Sequence, residues 1–229
     1  LAAVGRLAAG VVHEINNPLA TISACAESLE ARVEEGVFGS STEVDDLHEY
    51  LGLIRSEAFR CKAITNGLLD FSRVRTSDRL PIDVAELIRS SANLIAHQKR
   101  GDNVRFKFEI EERLPHINAD GGQLQQAIIA LATNAVDAMQ GGGTITFRAF
   151  SANNRVTIEI QDTGVGIAPE DMSKIFEPFF TTKEVGKGTG LGLAVCYGIV
   201  TEHGGRLSVR SNVGVGTTFT MFLPIQKQL

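Results

Sequence analysis

Two apolar stripes with helical spacing fill the first third of the chain, and then the helical period stops. Val4, Ala8, Val11, Ile15, Pro18, Ile22, Cys25 and Leu29 recur at alternating steps of four and three. Leu47, Leu51, Ile54, Ala58, Cys61, Thr65, Leu68 and Ser72 repeat the same step, and Phe59, Leu69 and Phe71 widen the apolar face. Such spacing lines one side of an α-helix. It predicts one helix over residues 1 to about 35 and a second one ending near residue 74. Pro18 lies within the first stripe and is expected to bend or locally break it. A polar, glycine-containing stretch at residues 36–41 separates the two, with Asp45 or Asp46 available to cap the second helix. Long helices with so short a connection form an antiparallel hairpin. A lone hairpin leaves its apolar faces half covered. Pairing of two hairpins into a four-helix bundle, and hence a homodimer, is the simplest remedy. Packing against the chain's own second domain is the rival.

The pattern stops at residues 75–82, where Arg75-Thr-Ser-Asp-Arg79 and Pro81 read as a linker. This divides the chain into a hairpin over 1–74 and a second domain over 83–229. In the second domain the two periodicities mix. Helices are expected near 84–98, 121–140 and 190–203. Strands are expected near 103–110, 116–119, 143–150, 154–162, 206–211 and 216–223. Gly141-Gly142-Gly143 should stop the middle helix, and Asn153-Asn154 suits a tight hairpin turn. The result is one layer of helices on a mixed sheet, an α/β sandwich. Residues 163–189 form a glycine-rich stretch too long for an ordinary connector, and such stretches move or bind something.

A formal charge of -5 gives no general attraction to nucleic acid or to an anionic membrane, so no direct nucleic-acid partner is expected. Cys25, Cys61 and Cys196 are far apart and odd in number, which argues against a disulfide framework or a Cys-rich zinc site. A reducing, cytoplasmic setting follows. No apolar run is long enough to span a bilayer. The chain opens on Leu1, already in helix, and is expected to be a piece of a longer protein. Membrane contact is then expected only through segments outside it.

Several stretches carry residues capable of chemistry. His13 lies two residues from both Val11 and Ile15, so it points away from the apolar stripe. An exposed, near-neutral imidazole is a usable nucleophile. Glu14 beside it can orient one ring nitrogen and take its proton while the other attacks. Asn17, one turn on, can position a water. A zinc-protease helix would need a second histidine at position 17.

The strand near 154–162 runs into Asp162-Thr-Gly-Val-Gly-Ile167. A carboxylate there can accept a hydrogen bond from an exocyclic amine, and Gly164 and Gly166 let backbone approach a flat ring. Further on, Gly186-Lys-Gly-Thr-Gly-Leu-Gly192 leads into a helix, a phosphate cradle of backbone amides to which Lys183 and Lys187 add charge. Neither stretch has dinucleotide-fold or Walker A spacing. Phe176-Glu-Pro-Phe-Phe-Thr-Thr-Lys183 between them suggests the hinge of a lid. Gln126, Asn134 and Asp137 lie on the helix near 121–140. Asn134 has apolar neighbours, and a Mg²⁺ bridging nucleotide phosphates would give it a partner.

Taken in order, these segments resemble the catalytic core of the two-component sensor histidine kinases over essentially the whole chain. His13-Glu-Ile-Asn-Asn-Pro-Leu19 looks like the family's H box and residues 123–139 its N box. Asp162-Thr-Gly-Val-Gly166 and Gly188-Thr-Gly-Leu-Gly192 look like two glycine boxes, and Phe176-Glu-Pro-Phe179 the F box. Gly214-Val-Gly-Thr217 resembles the last box. Asn16-Asn17-Pro18 and Asp137-Ala138-Met139 are similar to the nitrogen-regulation-like branch.

The resemblance implies a Bergerat-type ATP-binding fold behind the dimeric hairpin. It implies that His13 accepts the γ-phosphoryl group of ATP, that Glu14 activates it, and that Asn17 helps position water for dephosphorylation of the partner. Asn134 would ligate Mg²⁺, with Asp137 beside it in the nucleotide site. Asp162 would read the adenine amine, supported through water by Thr217, with Gly164 and Gly166 beside the ring. Lys183 and the loop Gly188, Thr189, Gly190, Leu191 and Gly192 would grip phosphates. The partner implied is a response-regulator receiver domain. Ala130 stands where many members carry a second asparagine, leaving the metal to Asn134, phosphates and water, with Gln126 as a further candidate. The competing readings are an ATPase of the same fold that forms no phosphohistidine, and a non-catalytic dimeric scaffold.

Overall fold

The computed structural model describes residues 2–34, 46–55, 57, 58, 61, 79–96, 103–183 and 188–225. The chain divides into two compact units, Leu1–Arg73 with Pro178–Leu191, and Val74–Glu177 with Gly192–Leu229.

The first unit is built on the expected helical hairpin. Helix α1 runs Ala2–Glu34. Helix α2 covers residues 46–55, with 57, 58 and 61 also helical. Pro18 lies inside α1, and the helix continues through it without the anticipated break. A proline ring removes one donor from the ladder, and the turns on either side retain theirs. Pro18 and Cys25 are buried and Ile15, Ile22 and Leu29 half-buried, whereas Asn16, Asn17, Thr21 and Ser23 are exposed. The described part of the first stripe is therefore the inner face. Arg32 Nη1 lies 2.6 Å from Asp46 Oδ2, and the same guanidinium sits 5.4 Å from the centre of the Tyr50 ring. Asp46, one of the two candidate caps, thus pairs with the end of α1. Residues 36–45 and the second-stripe positions Phe59, Thr65, Leu68, Leu69, Phe71 and Ser72 lie outside the described residues.

The second unit is an α/β sandwich. Its strands are β1 (Leu80–Ile82), β2 (Val104–Ile110), β3 (Ile117–Ala119), β4 (Gly143–Ala152), β5 (Arg155–Gln161), β6 (Arg206–Asn212) and β7 (Gly216–Pro224). Its helices are α3 (Val84–Ala96), α4 (Gly121–Asp137) and α5 (Gly192–Glu202). The main sheet has the order β2-β4-β5-β7-β6. Among the described residues only the β2–β4 pair is parallel, and its two strands are joined through β3 and α4. A parallel pair requires such a crossover, whereas β4 and β5 need only a tight turn. Asn153 and Asn154 make that turn with φ of 52° and 59°, the left-handed pair that matches strand twist.

The three helices cover one sheet face. Ile145, Phe147, Ile158, Ile160, Phe219, Met221 and Leu223 alternate toward it and are buried. Helix α4 lies between α3 and α5 and buries Leu124, Ala127, Ile128, Leu131, Ala132, Ala135 and Val136. It ends at Asp137, with Ala138 as its C-cap, before the Gly141–Gly143 run expected to stop it. Met139 nonetheless stays buried, so the apolar pattern outlasts the helix. Leu80–Ile82, at the end of the stretch read as linker, pairs with Ile117–Ala119 in a separate two-stranded ladder. Ile175, inside the long glycine-rich stretch, is buried core.

Capping fixes where α3 and α4 begin. Asp83 Oδ1 accepts from the N–H groups of Ala85 and Glu86, and Asp120 Oδ1 from that of Gln123. His203, which is buried, ties the end of α5 to the start of α4. Its Nδ1 lies 2.8 Å from the Ile199 carbonyl and its Nε2 lies 3.0 Å from the Asp120 amide. A carbonyl only accepts and an amide N–H only donates, so the ring is neutral with its proton on Nδ1. Leucine at position 203 would leave both backbone groups without this partner. His203→Leu should lower unfolding stability by about 1–3 kcal/mol, read as a drop in the urea midpoint with the slope unchanged. An unchanged midpoint would show that the link carries no weight.

Candidate functional site

The residues marked out by the sequence fall into three places. The first is α1, which carries His13, Glu14 and Asn17. The side chains of His13 and Glu14 lie outside the described set, and Asn17 is exposed.

The second is Pro178–Leu191, in the first unit. Phe179 donates its N–H to the Gly190 carbonyl at 3.0 Å, and both residues have positive φ, 69° and 64°. A Cβ on Gly190 would stand 2.3 Å from the Phe179 carbonyl carbon. Gly188 packs on Thr181 and Lys183, and a Cβ there would come within 2.8 Å of Thr181 Oγ1. Thr181 Oγ1 accepts from the Lys183 amide at 3.2 Å, and Thr189 Oγ1 from Leu191 at 3.5 Å. Leu191 is buried, and Gly192 opens α5. Gly186 and Lys187 lie outside the described residues.

The third place joins α4, the turn after β5 and the start of β7. Asp162 is only 4% exposed, and its carboxylate is held by main chain. Oδ1 accepts from the N–H of Gly164 at 2.8 Å and of Thr217 at 3.1 Å, while the Asp162 amide donates to the Thr217 carbonyl at 2.9 Å. Burial raises the Asp162 pKa above the ordinary carboxylate range, and these N–H donors only partly offset it.

The turn is pinned on both flanks. Val165 donates to the Ala138 carbonyl at 3.1 Å, so the turn abuts the end of α4 just past Asn134 and Asp137. A Cβ on Gly164 would lie 2.7 Å from that same oxygen. On the other flank Gly166, at φ 76°, leaves no room beside Asn212, and Gly214 donates to Val165 at 2.8 Å. Ser211 Oγ accepts from the Ile167 amide at 2.8 Å and meets Thr217 Oγ1 at 2.9 Å. Ser211 has no counterpart in the sequence reading. Only β6 pairing in register with β7 brings it to Thr217.

The structure therefore brings Asp162, Gly164, Gly166 and Thr217 together next to the last turn of α4, where Asn134 and Asp137 are half-buried. Ala130 is one turn earlier and offers no donor. Among the described residues no group of three His, Cys, Asp or Glu side chains is placed to hold a metal ion. Asn134 and Asp137 are hard oxygen donors, a sparse set that suits Mg²⁺ arriving with phosphate and water rather than a metal held by protein alone. A cavity of about 650 Å³ also touches Asp162, with Arg148, Gln161, Arg210, Gly216 and Thr218 in its wall. Neither Asn134 nor Asp137 lines it, so it is not where those side chains would meet a ligand.

Residues 3–77 match the family model for the His Kinase A (phospho-acceptor) domain, and residues 119–227 match that for the histidine kinase-, DNA gyrase B- and HSP90-like ATPase. The chain belongs to the sensor histidine kinases. It is a catalytic core that joins these two modules in that order. Sensor histidine kinase ZraS of Salmonella typhi is 38% identical over 226 residues, which is 98% of this chain and 46% of ZraS. The core thus spans less than half the length of such curated relatives. The catalytic domain of histidine kinase ThkA aligns with a TM-score of 0.58 at 32% identity, covering 64% of this chain and 95% of that one. The structure of ThkA in complex with the response regulator protein TrrA aligns with a TM-score of 0.76 at 29% identity, covering 99% of this chain and 63% of that one. Among the described residues of the kinase core no helix is long and apolar enough to cross a membrane.

The raised pKa of Asp162 gives a stability test. The folded state holds this proton more tightly than the unfolded state does. The resulting penalty is absent at acid pH and grows as pH rises through the unfolded carboxylate range toward the folded pKa. Asparagine keeps the acceptor oxygen and removes the charge. Asp162→Asn should melt higher than the parent near neutral pH, with the gap closing toward about pH 4. Calorimetry across that range reads it, and a variant that melts lower throughout contradicts the assignment.

Proposed function

We propose that this kinase core transfers the γ-phosphoryl group of ATP to His13 and passes it to an aspartate on a response-regulator receiver domain. The observation that carries the proposal is the Asp162 turn, a buried carboxylate fixed by main-chain amides against the end of α4. Asp162 Oδ1 is taken by two backbone donors, which leaves Oδ2 to accept from the exocyclic amine of adenine. Gly164 and Gly166 keep the turn free of side chains, and Thr217 supports the same group through water. Lys183 and the amides of Gly188, Thr189, Gly190, Leu191 and Gly192 would hold the phosphates.

In the transfer itself a His13 ring nitrogen attacks phosphorus in line with the β,γ-bridging oxygen. The N–P bond forms as the P–O bond breaks, ADP leaves, and Glu14 takes the imidazole proton. Asn134, with Asp137 nearby, would hold a Mg²⁺ that arrives with ATP, and the ion would supply neutralising charge for the transfer. Asn17, exposed on α1, would position water for dephosphorylation of the regulator. Asn16-Asn17-Pro18 and Asp137-Ala138-Met139 support a place for the core in the nitrogen-regulation-like branch.

The hairpin would dimerise. Leu19, Leu51 and Leu53 are 46%, 48% and 41% exposed in the single chain, apolar surface that a second hairpin would cover. The core would act in the cytoplasm, with any membrane anchor in other segments of the protein.

His13→Gln should abolish acid-labile, base-stable phosphate on the chain while leaving ADP affinity unchanged. Stable labelling of that variant would overturn the assignment, and steady phosphate release without a phosphohistidine in the parent would favour the ATPase reading. Asn134→Ala should reduce labelling on the order of a hundredfold at saturating ATP. If labelling persists at the parent rate with Mg²⁺ in excess, Asn134 is not the metal ligand.

A further inference from the structure

The sheet face opposite the helices carries most of its charge with one sign. Alternation along the strands puts Arg105, Lys107, Arg148, Arg155, Arg206 and Arg210 on that face, against the carboxylates Glu109 and Glu159. The whole chain has a formal charge of -5, so this face is basic on an acidic protein. Both carboxylates are fully engaged. Glu109 pairs with Lys107 at 2.6 Å and with Arg148 at 2.5 Å, and Glu159 lies 3.5 Å from Arg148 and 3.6 Å from Arg210. Glu111, one residue past β2, turns to the Ser151 amide. Arg105, Arg155 and Arg206 are exposed and have no ion pair among the described residues.

The middle of the face is close-packed, and the charges there, Arg148 and Glu159, are paired with each other. Thr146, Thr157 and Thr220 are buried there, and Phe150 and Phe222 stand in register on either side of Thr157. A close-packed middle with its charges internally paired leaves the exposed arginines as the groups free to meet a partner, and arginine rather than lysine is the cation protein interfaces favour. The free arginines stand on three different strands, Arg105 on β2, Arg155 on β5 and Arg206 on β6, so a partner must offer anions at separated points, which carboxylates spaced along a protein segment can do.

We infer that the open face of this sheet is a docking surface for an acidic protein segment, one rich in Glu or Asp that pairs with Arg105, Arg155 and Arg206. Neither the nucleotide site nor the His13 face is needed for this contact. The test is fluorescence anisotropy of a short labelled peptide of alternating Glu and Ser with the full chain at low ionic strength. Saturable binding that weakens with salt is expected. The exposed triple variant Arg105→Glu, Arg155→Glu, Arg206→Glu should weaken it roughly tenfold or more, and Arg206→Glu alone should weaken it in part. ADP affinity should not change in either variant. Absence of saturable binding, or equal affinity in parent and both variants, would overturn the inference. So would tighter binding of anionic phospholipid vesicles or single-stranded nucleic acid than of the peptide.

Discussion

Asp162 and Thr217 exchange hydrogen bonds with each other's backbone, and the same carboxylate also holds the Gly164 amide. This closes the end of the sheet where β5 leaves it. The clamp sets where the glycine turn starts, and the turn in turn is fixed to Ala138 on one side and Asn212 to Gly214 on the other. Every residue placed near the end of α4 depends on that closure. Burying a carboxylate is costly. The backbone donors offset part of the cost, and the remainder appears as the raised pKa.

The helix layer has a different origin. Small residues on α4 let α5 approach until Cys196 Sγ lies 3.6 Å from the Ala127 carbonyl. The thiol, fully buried, is pushed up to about 12 and behaves as a packing group. His203 then locks the far ends of these two helices. The interior of the second unit is thus held by apolar area, with a few side-chain-to-backbone bonds setting the register of its parts.

Much of this was legible in the chain. Periods of 3.6 and 2 located most of the helices and strands, and Asn153-Asn154 announced its turn, because those signals are local. Short or isolated features were not legible. Leu80–Ile82 is too brief to show alternation, contains Pro81, and gains its meaning only from a partner near residue 118. Ser211 and His203 each act on an amide more than forty residues away. The glycine boxes were read as ligand contacts, which hid their packing role. Part of the charge of the open sheet face was present as Arg206 and Arg210 on one face of β6, but its sum needs the register of five strands.

Gly164, Gly166 and Gly216 admit no methyl group, because Ala138, Asn212 and Asp162 already occupy the space with main chain. The steric demand comes from the protein itself and would persist whatever ligand the turn meets. For lineages of this fold, the glycine pattern therefore records inherited architecture. Asp162 is under no such steric rule: an asparagine has the same shape, and main-chain donors offset only part of the cost of burying the charge there.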